Sequence, residues 1–157
     1  MTQRMDYGAA APSGIKALGS VYGYVAQSGL PKSLIDMIYL RVSQINGCAY
    51  CIDSHTHDLL DAGIPLAKVI LVPGWEEGGA LFDARERAAL AWAETVTRVS
   101  DTHIPDAAFA TVRAQFTEKE IADMTIAVGL MNAYNRLAIG FRQTPQTVVK
   151  LAMTAAA

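Results

Sequence analysis

Both cysteines of the chain lie in one short stretch, NGCAYCIDSH at 46–55, as Cys48 and Cys51, with His55 four residues further on. On a helix these positions are i, i+3 and i+7, which places the three side chains on one stripe. A thiol in the first helical turn lies near unpaired N–H groups and the positive end of the dipole, which favour thiolate, and a neighbouring imidazole can take its proton. Peroxide would oxidise such a thiolate to a sulfenic acid, and the second thiol would then close a disulfide.

The same three residues allow other interpretations. Haem attachment is excluded, because that motif requires histidine directly after the second cysteine, where this chain has Ile52. Zinc binding would need a fourth ligand, and the nearby His57 and Asp53 point away from the stripe, so that ligand would have to come from elsewhere. A third alternative is purely structural, with buried cysteines and a hydrogen-bonded core histidine. In a reducing compartment, however, a C-x-x-C pair is more often catalytic or metal-binding than a structural staple.

A carboxylate on the preceding predicted helix adds a candidate. Asp36 and Ser43 are seven residues apart, on one polar strip of an otherwise largely apolar segment. The Asp36 carboxylate could orient His55 and help to move protons between thiol and substrate. Alternatively, Lys32, four residues earlier, pairs with Asp36 at the surface, which is worth only a few tenths of a kcal/mol. The spacing leaves both interpretations open.

Helical spacing of apolar residues predicts an all-α protein, a compact bundle of about six or seven helices. Cap and breaker residues set the ends: Gly47 ends one helix, and Asp83 with Glu86 and Thr117 with Glu120 form capping boxes that begin two others. The first two predicted helices cover 13–30 and about 31–45. The third begins at the cysteine segment, with Asn46 as N-cap, and ends at about residue 62. The others cover 84–99, a helix that begins at 105, and 118–139. The ends, 1–12 and the tail LAMTAAA, are expected to be loose.

Composition limits the possible partners. Apolar residues make up 52% of the chain and charged residues 18%, so we expect copies of the chain to cover apolar surface in a homo-oligomer. The net charge of −2, without a stripe of Lys or Arg, argues against nucleic acid. No stretch approaches the ~18 apolar residues of a membrane span, and residues 1–12 lack the apolar middle of a signal peptide. These features predict a cytoplasmic protein without a membrane partner.

The stretch from Asp36 to Gly63, which includes LRVSQINGCAYCIDSHTHDLLDAG, resembles the core of the AhpD-like alkylhydroperoxidases, within the carboxymuconolactone decarboxylase superfamily. The stretches FDARERAALAWAE at 82–94 and FTEKEIADMTIAVGLMNAYNRLAIGFR at 116–142 resemble later helices of that family in order and spacing. The resemblance implies an all-α oligomer, a trimer or hexamer. It also predicts a single AhpD-like domain over 1–157, with a flexible segment at 1–12, an N-terminal helix at 13–30 and the family core at 31–142.

The resemblance also assigns roles to residues. It implies that Cys51 attacks the peroxide, that Cys48 resolves the product and that His55 belongs to a proton relay. The relay glutamate of the family falls on Asp36, whose side chain is shorter by one methylene, and Tyr50 stands where the founding peroxidases carry histidine. Dipole reasoning differs on one point, because it favours Cys48 as the more acidic thiol.

The resulting hypothesis is a thiol-dependent peroxidase or disulfide reductase without metal or cofactor. It would reduce a small hydroperoxide and be recycled by an external dithiol, either lipoyl-type or thioredoxin-like. One alternative is a non-catalytic oligomer that senses oxidants or binds zinc. Another is a carboxymuconolactone-type decarboxylase, but that branch generally lacks the cysteine pair, so the motif argues against it.

Overall fold

The computed structural model describes residues 2–155, and that part of the chain is helical without a β-strand. The predicted all-α class is confirmed, although the helices are more numerous than the six or seven expected. They are α1 (Tyr7–Ala10), α2 (Pro12–Ala26), α3 (Lys32–Asn46), α4 (Ala49–Asp61), α5 (Leu66–Leu71), α6 (Ala84–Thr97), α7 (Val99–Thr102), α8 (Asp106–Arg113), α9 (Glu118–Phe141) and α10 (Gln146–Ala155). Two 3-10 segments, Val72–Glu77 and Gly79–Leu81, connect α5 to α6.

Helix α3 lies at the centre of the bundle. It packs against α4, α6 and α9, and nine of its fifteen residues are buried. Its apolar residues extend around much of the helix, and they are buried because α4, α6 and α9 cover different faces, which explains the central position. The polar members of this buried set, Asp36 and Ser43, therefore lie inside the protein and next to α4, which carries the cysteines.

The turn between α3 and α4 fixes the position of the cysteines. Gly47 ends α3 with φ 72°, in the left-handed region that glycine adopts without steric cost, and the Cys48 N–H donates to the Ser43 carbonyl at 2.9 Å. Cys48 is extended and is itself the N-cap of α4, so the prediction of Asn46 as N-cap is wrong. Asn46 is instead the last residue of α3, and its side-chain amide donates to Asn135 Oδ1 at 2.8 Å.

Two reciprocal capping boxes begin the helices that flank α3. The Asp83 side chain accepts from the Glu86 N–H at the start of α6, and the Glu86 carboxylate accepts from the Asp83 N–H. Thr117 and Glu120 make the same exchange at the start of α9. Both boxes were predicted from residue spacing, and the starts of α6 and α9 agree with the predicted positions.

The chain ends make specific contacts that the sequence did not suggest. Within the segment expected to be flexible, the Arg4 N–H donates to the Phe141 carbonyl at 2.9 Å, and the Tyr7 ring lies 5.7 Å from the Phe141 ring. The tail forms much of α10, which has no buried residue and is attached to α4 by hydrogen bonds from Thr147 to Asp53. Met1 and the last two alanines lie outside the described residues, so the expectation for them stays a prediction.

Over residues 2–155, no helix combines the length and the apolar character needed to cross a bilayer.

Candidate active site

The two thiols lie next to each other at the N-terminus of α4. Cys48 Sγ accepts a hydrogen bond from the Cys51 N–H at 3.4 Å, so the first cysteine caps the turn that carries the second. Both side chains are buried, with exposed fractions of 1% and 5%, and both are free thiols. The predicted pairing of the sulfurs within one helical turn is present, although Cys48 precedes the helix instead of belonging to it.

One proton is shared unequally between the sulfurs. The pKa of Cys48 is lowered to about 7, first because the Cys51 thiol donates a hydrogen bond to its sulfur and then because backbone N–H groups do so as well. The same hydrogen bond, together with burial, raises the pKa of Cys51. In the reduced pair Cys48 is therefore the thiolate and Cys51 the proton donor. This order agrees with the dipole argument from the sequence.

A polar side chain from α9 completes the surroundings of the sulfurs. Asn135 is fully buried, donates to Ser43 Oγ at 3.1 Å and lowers the thiol pKa of both Cys48 and Cys51 by hydrogen bonding. Sequence reasoning missed Asn135 at the site, because nothing in the spacing of α9 shows that it faces the cysteine turn. A polar residue at a position of α9 whose helical neighbours are mostly apolar was the available signal.

His55 lies one turn beyond Cys51 and is buried, with 7% of its surface exposed. Its Nδ1 is 3.2 Å from Asp58 Oδ2 and 3.9 Å from Asp36 Oδ1. Burial lowers the pKa of His55, and it outweighs the two carboxylates, which act in the opposite direction. The imidazole is therefore mainly neutral at pH 7 and can accept a proton.

Asp36 combines the two interpretations that the sequence left open. Its Oδ2 accepts from Lys32 Nζ at 2.6 Å, as the i, i+4 spacing suggested, but the carboxylate is only 1% exposed, so this is not a surface pair. Its other oxygen faces His55 at 3.9 Å, too far for a direct hydrogen bond. The structure thus brings Asp36 next to the imidazole without contact.

The carboxylate that does contact His55 was missed by sequence reasoning. Asp58 follows His55 by three residues on α4, a spacing that places both side chains on one helix face, and their hydrogen bond is the shorter of the two carboxylate distances. An H-x-x-D pattern on the predicted helix was the signal that could have identified it.

A cavity of about 380 Å³ gives access to Cys51 and His55. Tyrosines from α1, α2, α4 and α9 form much of its wall, and we call it the tyrosine cavity. Its lining includes Tyr7, Tyr22, Tyr50, Tyr134, Cys51, His55 and Asp58. Cys48 is absent from this lining, so a small molecule in the cavity meets one sulfur and the imidazole together.

The structure does not gather the zinc ligands that the sequence offered. In residues 2–155, the group of three potential ligand side chains within 4.8 Å of one another consists of Asp36, His55 and Asp58, without either sulfur. The Lys32 ammonium, bound to Asp36, already neutralises one of these carboxylates. Asp53 and His57 interact with Thr147 of α10 instead.

Known proteins resemble this chain over most of its length. The model of the carboxymuconolactone decarboxylase family matches residues 12–95. Uncharacterized protein YdfG of Bacillus subtilis is 32% identical over 139 residues, which cover 88% of this chain and 94% of YdfG. The solved structure of ATU0492 from Agrobacterium tumefaciens, a protein of unknown function described as an AhpD antioxidant defence candidate, has a TM-score of 0.88 and 39% identity, and the match covers 92% of this chain and 98% of that chain.

A shorter match includes a named enzyme. Alkyl hydroperoxide reductase AhpD of Methylocella silvestris is 45% identical over 42 residues, which are 27% of this chain and 24% of that protein. The family model covers more than half of this chain, and the full-length relative and the solved structure agree with it in fold and extent. The chain therefore belongs to the carboxymuconolactone decarboxylase family, in its AhpD-like branch.

Proposed function

We propose that this protein is a thiol-dependent peroxidase that reduces a small organic hydroperoxide at Cys51. The observation that carries the proposal is the pair of hydrogen-bonded thiols, of which one opens with a neutral imidazole into a cavity. The AhpD-like family supports an enzyme of peroxidase type.

The first step needs the Cys51 thiolate. His55 lines the same cavity as Cys51 and is neutral at pH 7, so it accepts the thiol proton. The sulfur then attacks one peroxide oxygen, the O–O bond breaks, and the departing alkoxide takes a proton from the imidazolium and leaves as an alcohol. Cys51 is oxidised to a sulfenic acid while the hydroperoxide is reduced.

The second step uses the acidity of Cys48. With a pKa of about 7, Cys48 is available as a thiolate at neutral pH, and its sulfur is adjacent to Cys51. It attacks the sulfenic sulfur, a disulfide forms, and hydroxide leaves and is protonated to water. An external dithiol, lipoyl-type or thioredoxin-like, then returns both cysteines to thiols.

The two carboxylates near His55 have different roles in the proposed proton relay. Asp58 hydrogen-bonds Nδ1 and so fixes the ring orientation, while Asp36 stabilises the imidazolium electrostatically at 3.9 Å. Asp36 is thus a positioning and charge-balancing residue in place of the family glutamate. A water molecule bridging Asp36 and His55 would complete the relay.

Assembly and location belong to the same proposal. Two apolar side chains in the second half of α10 are unusually exposed, with 64% for Leu151 and 70% for Met153, which supports a homo-oligomer, a trimer or hexamer, in which copies of the chain cover this end of the helix. A thiol cycle that needs reduced cysteines at the start of each turnover fits the reducing cytoplasm.

Peroxide consumption with excess dithiothreitol tests the proposal. Wild type should turn over tert-butyl hydroperoxide, and Cys51→Ser should fall to background. Cys48→Ser should still form one sulfenic acid per chain, trapped by dimedone and detected by mass, but no disulfide.

Three outcomes would contradict the assignment. Turnover unchanged in Cys51→Ser would remove the proposed nucleophile. Stoichiometric zinc in protein purified without added metal would favour the zinc-binding alternative. Release of CO2 from carboxymuconolactone would favour the decarboxylase alternative.

A further inference from the structure

The second cysteine opens into a cavity of its own. Cys48 does not line the tyrosine cavity but a separate cavity of about 560 Å³, between the start of α4 and the α9–α10 connection, which we call the Arg142 cavity. Tyr50 and Ala138 line both cavities and so form the partition between them. The two sulfurs are neighbours, yet they are approached from different sides.

We propose that the Arg142 cavity admits the reductant, that the reductant attacks Cys48 there, and that Arg142 favours a dithiol carrying an anionic group. This inference rests on the proposed function, since it concerns the disulfide that the peroxide reaction leaves. The separation of the two cavities is its basis, because it allows the oxidant and the reductant to reach the same disulfide by different routes.

Arg142 supplies the charge in this cavity. It caps the C-terminus of α9 with φ 57°, a left-handed conformation that is uncommon for a side chain other than glycine or asparagine. It is the charged residue among the cavity's lining side chains, and within residues 2–155 its guanidinium makes neither an ion pair nor a hydrogen bond. An anionic group entering beside Cys48 would find a cation that is not already neutralised.

The outer wall of the cavity is held against the cysteine helix. Pro145 and Val148, at the start of α10, belong to this wall, and the Asp53 carboxylate of α4 accepts from the Thr147 N–H at 3.0 Å. Because Val148 is 51% exposed, a larger side chain there can be accommodated while it narrows the entrance.

The reduction balances with a single dithiol. One thiolate of the reductant bonds to Cys48 Sγ, the S–S bond breaks, and Cys51 leaves and takes up a proton. The second thiol of the reductant loses its proton and attacks the reductant sulfur that is bonded to Cys48. A cyclic disulfide forms within the reductant, and Cys48 is released as a thiolate. The Cys51 thiol formed in the first step donates a hydrogen bond to Cys48, which lowers the pKa of Cys48 to about 7 and makes it a good leaving group in the second step. In the first step Cys51, whose pKa is raised, is the poorer leaving group of the pair, so attack at Cys48 rests on access through the Arg142 cavity and not on acidity.

The route is tested on protein oxidised with diamide, so that the measurement does not depend on peroxide chemistry. Dihydrolipoamide should reduce the Val148→Trp disulfide about tenfold more slowly than wild type, because the indole narrows the path to Cys48. Oxidation of the reduced variant by tert-butyl hydroperoxide should change less than about twofold. The matched control is Val149→Trp, on the same helix and 45% exposed but absent from the cavity, which should leave both rates unchanged.

The charge is tested with two reductants that differ only in a carboxylate. Dihydrolipoate should lose about threefold in rate with Arg142→Gln, whereas neutral dihydrolipoamide should change little, since one exposed ion pair is worth at most ~1 kcal/mol. Lys150→Gln removes the same charge from α10 outside the cavity and is the control. The sulfur is identified by trapping the mixed disulfide with 2-mercaptoethanesulfonate and fragmenting the peptide, which should carry the adduct on Cys48.

The results separate this inference from the function beneath it. Equal rates for Val148→Trp and Val149→Trp, or an adduct on Cys51, would overturn the reductant route and leave the peroxidase proposal intact. Equal effects of Arg142→Gln on both reductants would overturn the anion preference. If tert-butyl hydroperoxide fails to form the disulfide that diamide forms, the peroxidase proposal itself is contradicted.

Discussion

Cys48 and Cys51 are separated by two residues, but they lie in different chemical surroundings. Cys51 is at the wall of the tyrosine cavity with His55, and its proton is held in a hydrogen bond to the other sulfur. Cys48 caps α4, accepts that hydrogen bond and faces the Arg142 cavity. Cys51 therefore shares its cavity with a base and needs deprotonation, whereas Cys48 is made acidic by the hydrogen bonds that it accepts. The difference shows how two identical side chains in one turn can receive different tasks.

The largest effect is expected from removing His55, the base that shares the tyrosine cavity with Cys51. His55→Gln should slow oxidation of Cys51 by tert-butyl hydroperoxide about 100-fold, a typical loss when general acid-base catalysis is removed. Reduction of the diamide-formed disulfide should change less than threefold, because it occurs at Cys48. Stopped-flow thiol quantification measures both steps. The control is His57→Gln, a change of an exposed residue on the same helix. If His55→Gln slowed oxidation and reduction equally, the two sulfurs would not have separate roles.

The carboxylates should give the next largest effects. Asp36→Asn and Asp58→Asn should each slow Cys51 oxidation roughly tenfold. For Asp36→Asn, the rise in the activation free energy of oxidation should exceed the loss in the free energy of unfolding. Since both carboxylates raise the pKa of His55 against burial, removing either lowers it further. The acid side of the pH–rate profile should then move to lower pH.

Asp61→Asn, an exposed change on the same helix, is the control for this pair. An unchanged oxidation rate in Asp36→Asn would mean that Asp36 serves only as the ion-pair partner of Lys32.

The shared proton predicts a smaller, spectroscopic effect. Thiolate absorbance near 240 nm should rise by one equivalent as pH increases through about 7 in wild type. Cys51→Ala removes the leading cause of the low pKa of Cys48, so the midpoint should rise toward the ordinary thiol value of about 8.5. Cys48→Ala removes the leading cause of the raised pKa of Cys51, so the Cys51 midpoint should fall toward the ordinary thiol value but stay above about 7, because burial still raises it. A midpoint near 7 that persists in Cys48→Ala would assign the acidity to Cys51 and reverse the comparison.

The smallest effect is expected from changing Tyr50, which with Ala138 forms the partition between the tyrosine cavity and the Arg142 cavity. Tyr50→Ala should join the two cavities and accelerate modification of Cys51 by a bulky methanethiosulfonate about threefold, because truncation leaves a void that a ligand can enter. Tyr50→Phe keeps the ring and should behave as wild type. Peptide mass spectrometry locates the modified sulfur. If both variants modify Cys51 at the wild-type rate, the ring does not separate the cavities.

Features governed by near neighbours in the chain could be predicted from the sequence. The capping boxes at Asp83 and Thr117 and the glycine that ends α3 depend on residues three or four positions apart, and the structure agrees with them. The pairing of Cys48 with Cys51 belongs to the same class. Local hydrogen bonds and helix geometry were sufficient for these features.

Features that depend on tertiary packing could not be predicted. The pairing of Lys32 with Asp36 was visible in the spacing, but the burial of Asp36 follows from the central position of α3, which spacing does not reveal. Asn135 reaches the thiols from a helix more than eighty residues away in the chain. Likewise, α10 is fixed through Asp53 and Thr147, whose separation along the chain hides their contact.

Tyr7 forms part of the wall around Cys51, yet it precedes residue 12, where the match to the family model begins. The cysteine turn and His55 thus lie inside the matched segment, while parts of the cavity wall come from outside it, from Tyr7 on one side and from Tyr134 and Ala138 of α9 on the other. If the proposed peroxidase activity holds, exchanging the first ten residues between relatives should redirect substrate preference while the cysteine turn is unchanged, and an affinity tag fused close to Tyr7 should disturb turnover.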